Sequence, residues 1–244
     1  LQKSDAGVTT QFPMGTLEEL GLLKMDFLGL RTLTVIRDTV DLVERGRGER
    51  IDTDGLDLED PAVYEMLQQG DTDGVFQLES QGMRVFLREL KPSCFEDVIA
   101  GISLYRPGPM DQIPRYVACK NDPSRVRFAH PMLQKVLGVT YGCIVYQEQV
   151  MQIVRDMGGY SLGRSDLVRR AMSKKKADIM EKERRIFIHG LVEDGEVVVR
   201  GALRNGVSET IANEIFDQMM DFAQYAFNKS HAAAYGVISY RTAW

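Results

Sequence analysis

The chain has 244 residues, 44% of them hydrophobic and 27% charged, with a formal net charge of −5. Its apolar runs are shorter than the roughly 20 residues that a membrane span requires, and its start does not resemble a secretory signal. The cysteines Cys94, Cys119 and Cys143 are too far apart for a zinc site or a disulfide framework, so we expect a reduced, cytoplasmic protein. The acidic charge, taken alone, argues against nucleic-acid binding.

The chain is long enough for one large domain or two smaller ones. It begins at Leu1 without Met and stops at Trp244 directly after an ordered-looking run, so we expect a segment of a longer protein. A polar connection rich in glycine and aspartate over residues 46–60 predicts a domain boundary. We therefore expect one unit over residues 1–45 and a second over 46–244.

Residues 22–28 read as a strand with one apolar and one charged face. Leu23 and Phe27 lie on the apolar face, and Lys24 and Asp26 lie on the other. After Gly29, apolar residues recur at helical spacing up to about residue 45. A carboxylate at the end of such a strand is a common metal ligand. The alternative is an exposed Lys-Asp pair on an edge strand.

The remaining pattern predicts a mostly helical chain. Predicted helices cover 17–20, with Thr16 as cap, then 62–69, 81–90, 95–104, 131–137, 147–157, 161–172, 178–191, 209–225, with Ser208 as cap, and 232–244. Short strands are predicted over 75–78 and 141–146, with a hairpin within 193–200. Ser80 is predicted to cap the helix from Gln81, whose first amides could face an anion; the alternative is an ordinary capped helix.

Two further stretches suggest an anion site. Two prolines around a glycine in residues 105–110 predict a stiff loop that presents Tyr105 and Arg106; a structural turn with Arg106 bonded to carbonyl groups is the alternative. Arg169 and Arg170 lie about 100° apart on a predicted helix, with lysines at 174–176 one turn further on. Guanidinium forks and ammonium groups suit a triphosphate, whereas a solvated basic helix is the alternative.

Six motifs in this order resemble the alpha subunit of bacterial DNA polymerase III, the C family of replicative polymerases. They are KMDFLGLRT (24–32), GVFQLESQGM (74–83), YRPGPM (105–110), YGCIVYQEQVM (141–151), LVRRAMSKKK (167–176) and FNKSHAAAY (227–235). The resemblance implies an α+β protein, predominantly helical. Residues 1–45 would be the C-terminal part of a palm that resembles polymerase beta, and residues 46–244 would be a fingers domain.

The resemblance also implies a reaction and roles for particular residues. A primer 3′-hydroxyl would attack a deoxynucleoside triphosphate, with two Mg²⁺ ions held by three aspartates of which Asp26 matches the third. Lys24 would lie near the primer terminus or the nucleotide. The triphosphate would be bound by Arg169, Arg170 and Lys174, with Arg106 as the next candidate, and the pocket wall would include Tyr105, Gln147 and Ser80. Implied partners are primer-template DNA and, in the intact protein, a sliding clamp and other replisome subunits.

The two upstream aspartates of the family have no counterpart here, so we expect the isolated segment not to extend primers. One alternative is an error-prone polymerase of the same family, which these motifs do not separate from a replicative one. Another is a helical module that binds nucleic acid without chemistry. Asp26 with Lys24 on one strand face favours an enzyme, because binding alone does not need this pair.

Overall fold

The computed structural model describes residues 1–5, 7–23, 25–173, 177–223 and 227–244. This part of the chain is mostly helical with two small antiparallel sheets, which confirms the predicted α+β class in which helices predominate. In chain order, the elements are β1 (Gln2–Ser4), β2 (Gly7–Thr9), α1 (Met14–Glu19), α2 (Arg31–Arg47), α3 (Pro61–Gln69), α4 (Gln81–Leu90), α5 (Phe95–Leu104), α6 (Ile113–Asn121), α7 (Leu133–Leu137), α8 (Gln147–Gly158), α9 (Leu162–Ser173), α10 (Ala177–His189), β3 (Leu191–Glu193), β4 (Glu196–Val199), α11 (Glu209–Ala223) and α12 (Lys229–Ala243).

The N-terminal segment packs little against the rest of the chain. β1 and β2 form a hairpin, and the helix predicted after Gly29 is confirmed as α2, which contacts α12. The strand predicted over 22–28 is wrong within the described residues, because residues 25–30 have no regular secondary structure. Leu23 is 83% and Phe27 is 90% exposed. A strand must pair its backbone groups with a neighbour, and an alternating pattern does not supply one.

The predicted cap at Thr16 is also wrong. Helix α1 begins at Met14 with Pro13 in the N-cap position, so Thr16 lies inside the helix. The predicted caps Ser80 and Ser208 are confirmed: their hydroxyls accept hydrogen bonds from the backbone N–H of Met83 and Ile211, both at 3.3 Å. These serines satisfy N–H groups that the first turn of a helix leaves unpaired.

The first hydrophobic core lies between α3, α4, α5, α6 and α12. Its fully buried side chains include Leu67, Leu87, Leu104, Tyr116 and Tyr240. Helix α12, at the far end of the chain, packs directly on α5. The Tyr240 hydroxyl also accepts a 2.9 Å hydrogen bond from the backbone N–H of residue 60, immediately before α3. The C-terminal helix is therefore part of the same packing unit as the helices that begin at residue 61.

The second core is built by α7 to α11 and by β4. Ile153, Val154, Phe187, Phe216 and Met219 are among its buried side chains. The predicted hairpin before α11 is confirmed as β3 and β4, with a bulge near the start of β3. Between α7 and α8, Cys143, Val145 and Tyr146 belong to the first core, so the chain re-enters the second core at residue 147, where α8 begins.

Two other predicted strands are wrong. Residues 75–78 form hydrogen-bonded turns, and the positive φ of Gln77 (65°) is incompatible with an extended strand. Residues 141–146 are irregular apart from an isolated bridge between Tyr146 and Phe227. The side chain of Gln149 accepts the N–H groups of Val145 and Tyr146, at 2.8 and 3.0 Å, so these groups have a partner without a neighbouring strand.

Candidate functional site

An open cleft of about 540 Å³ lies on the side of the first core, between the ends of α4, α5 and α12. Three residues predicted from the sequence, Ser80, Tyr105 and Arg106, line this cleft. Ser80 caps the start of α4, and Tyr105 follows the last residue of α5. The two side chains therefore lie in the same cleft because these two helix ends border it. Gln147, which was predicted to share the pocket wall with Ser80 and Tyr105, does not line this cleft, and the role of these residues in nucleotide binding stays a prediction.

Tyr105 is held by close packing against α4. Its ring stacks on Phe86, with ring centres 5.8 Å apart and an interplanar angle of 16°. A Cβ atom at Gly82 would overlap the Tyr105 hydroxyl, so this approach requires glycine. The side chain therefore has a defined position before any ligand arrives.

Arg106 stacks on an aromatic ring. Its guanidinium carbon lies 4.1 Å from the centre of the Phe227 ring, which is a cation–π contact. The loop that carries it continues through Gly108, whose φ of 105° suits glycine, into a short 3-10 turn over Pro109–Gln112. The guanidinium is thus presented by a constrained loop against a fixed ring.

A row of aromatic rings forms the opposite wall of the cleft. Phe227 and His231 make an edge contact at 5.5 Å, His231 and Tyr235 lie 4.3 Å apart, and Tyr235 contacts Phe76 at 5.3 Å. We call Phe227, His231 and Tyr235 the aromatic row. His231 has no role predicted from the sequence, and Phe227 and Tyr235 are not among the predicted site residues. For His231 and Tyr235 the signal was present, because a spacing of four residues places two side chains on one helix face, whereas Phe227 precedes α12.

A second group of predicted residues lies on α9. Arg169 donates to Asp166 through Nε at 2.8 Å and through Nη2 at 2.7 Å, and Arg170 Nε lies 2.7 Å from the other oxygen of Asp166. These contacts hold the pKa of Asp166 below its ordinary value, with the hydrogen bond from Arg169 as the largest cause. Asp166 therefore orients both guanidinium groups, a role that the sequence analysis missed although its i, i+3 and i, i+4 spacings were visible.

Gln147 and Phe227 connect the two groups. Arg169 Nη1 donates to Gln147 Oε1 at 3.1 Å, and the backbone N–H of Gln147 donates to the Phe227 carbonyl at 2.9 Å. Arg106 stacks on the Phe227 ring and Arg169 bonds to the Gln147 side chain, so two guanidinium groups from distant parts of the sequence are linked through this hydrogen-bonded pair. The predicted site residues Arg106, Gln147 and Arg169 are therefore brought together.

The other predicted residues are not placed in this way. Lys24 and Lys174 lie outside the described residues. Asp26 lies in the exposed, irregular segment before α2. Its convergence with Arg169 on one nucleotide stays a prediction.

Comparison with known proteins gives a consistent result. The profile of the bacterial DNA polymerase III alpha subunit finger domain matches residues 32–195. The chain belongs to this family. DNA polymerase III subunit alpha of Staphylococcus aureus (strain COL) is 46% identical over 240 residues, which cover 98% of this chain and 22% of that protein. DNA polymerase III subunit alpha of Thermus aquaticus is 50% identical over 240 residues, which cover 96% of this chain and 19% of that protein.

The chain thus spans about a fifth of the length of these DNA polymerase III alpha subunits. The match begins at residue 32, within α2, and the domain boundary predicted near residue 45 stays a prediction. None of the helices in the described residues is long and apolar enough to cross a membrane.

The residues described here do not form a complete metal site. Within the described ranges, three or more His, Cys, Asp or Glu side chains do not come together in a group that could hold a metal ion. Mg²⁺ requires several hard oxygen donors at near-octahedral geometry, and Asp26 supplies one carboxylate. The donor set for the two ions implied by the family is therefore not assembled by these residues.

Proposed function

We propose that this chain is the nucleotide-binding part of a bacterial DNA-directed DNA polymerase, with primer-template DNA and a deoxynucleoside triphosphate as its substrates. The observation that carries the proposal is the chain of contacts that links Arg106 to Arg169, through the Phe227 ring, the Phe227–Gln147 backbone hydrogen bond and the Gln147 side chain. Charged forks beside an aromatic wall suit a ligand with a phosphate chain and a flat base.

Each part of the site has a role in this proposal. The α9 guanidinium groups bind the triphosphate, with Asp166 holding them in position before the nucleotide arrives. The aromatic row and Tyr105 form the wall beside the base and sugar, and Arg106 supplies charge near that wall. Both arginines are already paired with the Asp166 carboxylate. The phosphates of the nucleotide therefore either displace this carboxylate or bind to the arginines beside it.

Asp26 is proposed as one carboxylate of the catalytic set, which residues elsewhere in the intact polymerase complete. No reaction step is assigned to metal ions on this chain, because its described residues do not complete a donor set. By the same reasoning, we propose that the 244-residue chain alone does not extend primers, whatever the Mg²⁺ concentration.

The first test replaces Arg169 by Ala in the full-length polymerase. A hydrogen bond to a charged group contributes about 1.5–3 kcal/mol, so kcat/KM for the nucleotide should fall roughly 10- to 100-fold. Primer-template affinity should not change. Arg185→Ala is the matched control, because Arg185 is an exposed arginine on the neighbouring helix α10. A loss confined to DNA affinity would instead make α9 a contact to the DNA backbone and would favour a binding module.

The second test replaces Asp26 by Asn, which removes the negative charge and retains the size of the side chain. Primer extension by the full-length polymerase should be abolished while DNA binding is retained. A near-normal extension rate would remove Asp26 from the catalytic set.

A further inference from the structure

Glu148 lies between the N-terminal ends of two helices from different cores. It is the second residue of α8, and its half-buried carboxylate accepts hydrogen bonds from the start of α12. The Asn228 side chain donates at 2.9 Å, and the backbone N–H of Lys229 donates to both oxygens, at 3.1 and 3.2 Å. The positive ends of both helix dipoles stabilise a negative charge at this place.

The same contacts fix the cap of α12. Asn228 Oδ1 accepts the backbone N–H of His231 at 2.8 Å, while its amide nitrogen donates to Glu148. The Asn228 side chain is thus held at both ends. Since Asn228 directly follows Phe227 and caps the helix that carries the rest of the aromatic row, Glu148 sets where that row begins.

Glu148 is also linked to Arg169 through the preceding residue. Its neighbour Gln147 accepts the hydrogen bond from Arg169 and donates its backbone N–H to Phe227. A displacement of the α12 start relative to α8 would therefore change the position of the aromatic row relative to Arg169. Lys229 adds a second anchor through Nζ, which lies 2.9 Å from Glu96 on α5.

We propose that Glu148 is a positioning residue of the nucleotide site. It holds the aromatic row in register with Arg169 and does not itself touch the nucleotide. This inference rests on the proposed function, because it takes the aromatic row and Arg169 as two walls of one nucleotide site. A shift of about 1 Å between such groups can lower a rate roughly a hundredfold.

The test measures single-nucleotide incorporation by full-length polymerases that carry Glu148→Ala or Glu148→Gln. For Glu148→Ala, kcat/KM for the nucleotide should fall about 10- to 100-fold per active enzyme, counted by burst amplitude, with unchanged DNA affinity. Glu148→Gln should recover part of the loss, since its amide oxygen can still accept the Lys229 N–H. Glu65→Ala, at an exposed glutamate on α3, is the control and should behave as wild type.

A second measurement separates positioning from folding. Phe227→Ala removes the first ring of the aromatic row. In that background, adding Glu148→Ala should lower kcat/KM for the nucleotide by less than about 3-fold relative to Phe227→Ala alone. A further fall of about 10- to 100-fold in kcat/KM in that background would overturn the proposal. Normal kinetic constants in a smaller active fraction would also overturn it, because they indicate a purely structural role.

The outcomes also separate this inference from the proposed function. If Arg106→Ala and Arg169→Ala leave nucleotide kinetics unchanged, the cleft is not the nucleotide site and both proposals fail. If those two variants lower kcat/KM for the nucleotide but the Glu148 variants do not, only the positioning role is refuted.

Discussion

Gln149 offers a sharp test of how the chain passes between its two cores. The side chain is 6% exposed and makes four hydrogen bonds. Its oxygen accepts the N–H groups of Val145 and Tyr146, and its amide nitrogen donates to the Val136 carbonyl at 3.3 Å and to the Thr140 hydroxyl at 2.7 Å. Gln149 therefore replaces the neighbouring strand that residues 141–146 lack.

Replacing Gln149 by Leu retains the approximate volume and removes every one of these bonds. Two buried N–H groups then lose their acceptor, and each such loss costs about 1–3 kcal/mol. We expect the free energy of unfolding to fall by about 2–6 kcal/mol, a large share of the 5–15 kcal/mol typical of a folded domain.

Urea denaturation of the 244-residue chain, followed by far-UV circular dichroism, measures this loss. Gln152→Leu is the matched control, since Gln152 lies on the same helix and its side chain donates to Asp156, one turn further along that helix, at 2.6 Å. It should change stability by less than about 1 kcal/mol. A loss below about 1 kcal/mol for Gln149→Leu would show that these N–H groups find other partners, and the reasoning would be wrong.

Two more predictions concern buried groups in the first core. Lys120 lies 3.3 Å from Asp97, and both side chains are buried. Lys120→Met leaves the buried carboxylate without its cation, so the free energy of unfolding in urea should fall by about 3–5 kcal/mol. A fall of less than about 1 kcal/mol would contradict this reasoning. Burial raises the pKa of Cys143 to about 11, which keeps the thiol neutral at pH 8. Alkylation of Cys143, mapped by mass spectrometry, should therefore be about 100-fold slower in the folded protein than in urea. The rate should increase as the pH rises, because the thiolate is the reactive form. Equal alkylation rates in folded and unfolded protein would refute this prediction.

The helices could be predicted because their signals are local. Helix α5 has the predicted bounds, Phe95–Leu104, and Ser80 and Ser208 cap the helices as expected. The strand predictions failed because neither alternation nor an apolar run shows that a neighbouring strand is present to pair with. Within residues 141–146, the Gln149 side chain accepts the N–H groups of Val145 and Tyr146, which a neighbouring strand would otherwise accept.

The site was partly predictable for the same reason. Tyr105 and Arg106 belong to one short motif, and their shared position followed from it. The contact between Arg106 and Phe227 joins segments that are far apart in the sequence, and periodicity carries no information about such a contact. The pairing of Arg169 with Asp166 was local and could have been found from its spacing.

The packing of α12 on α5 has a consequence for synthesis in the cell. The hydrogen bond between residues 60 and 240 spans 180 positions, so the first core stays incomplete until α12 has been made. At typical bacterial rates of 5–20 residues per second, this interval is roughly 10–35 s. During that time the apolar faces of α3 and α5 lack the side chains of α12 that cover them in the folded protein.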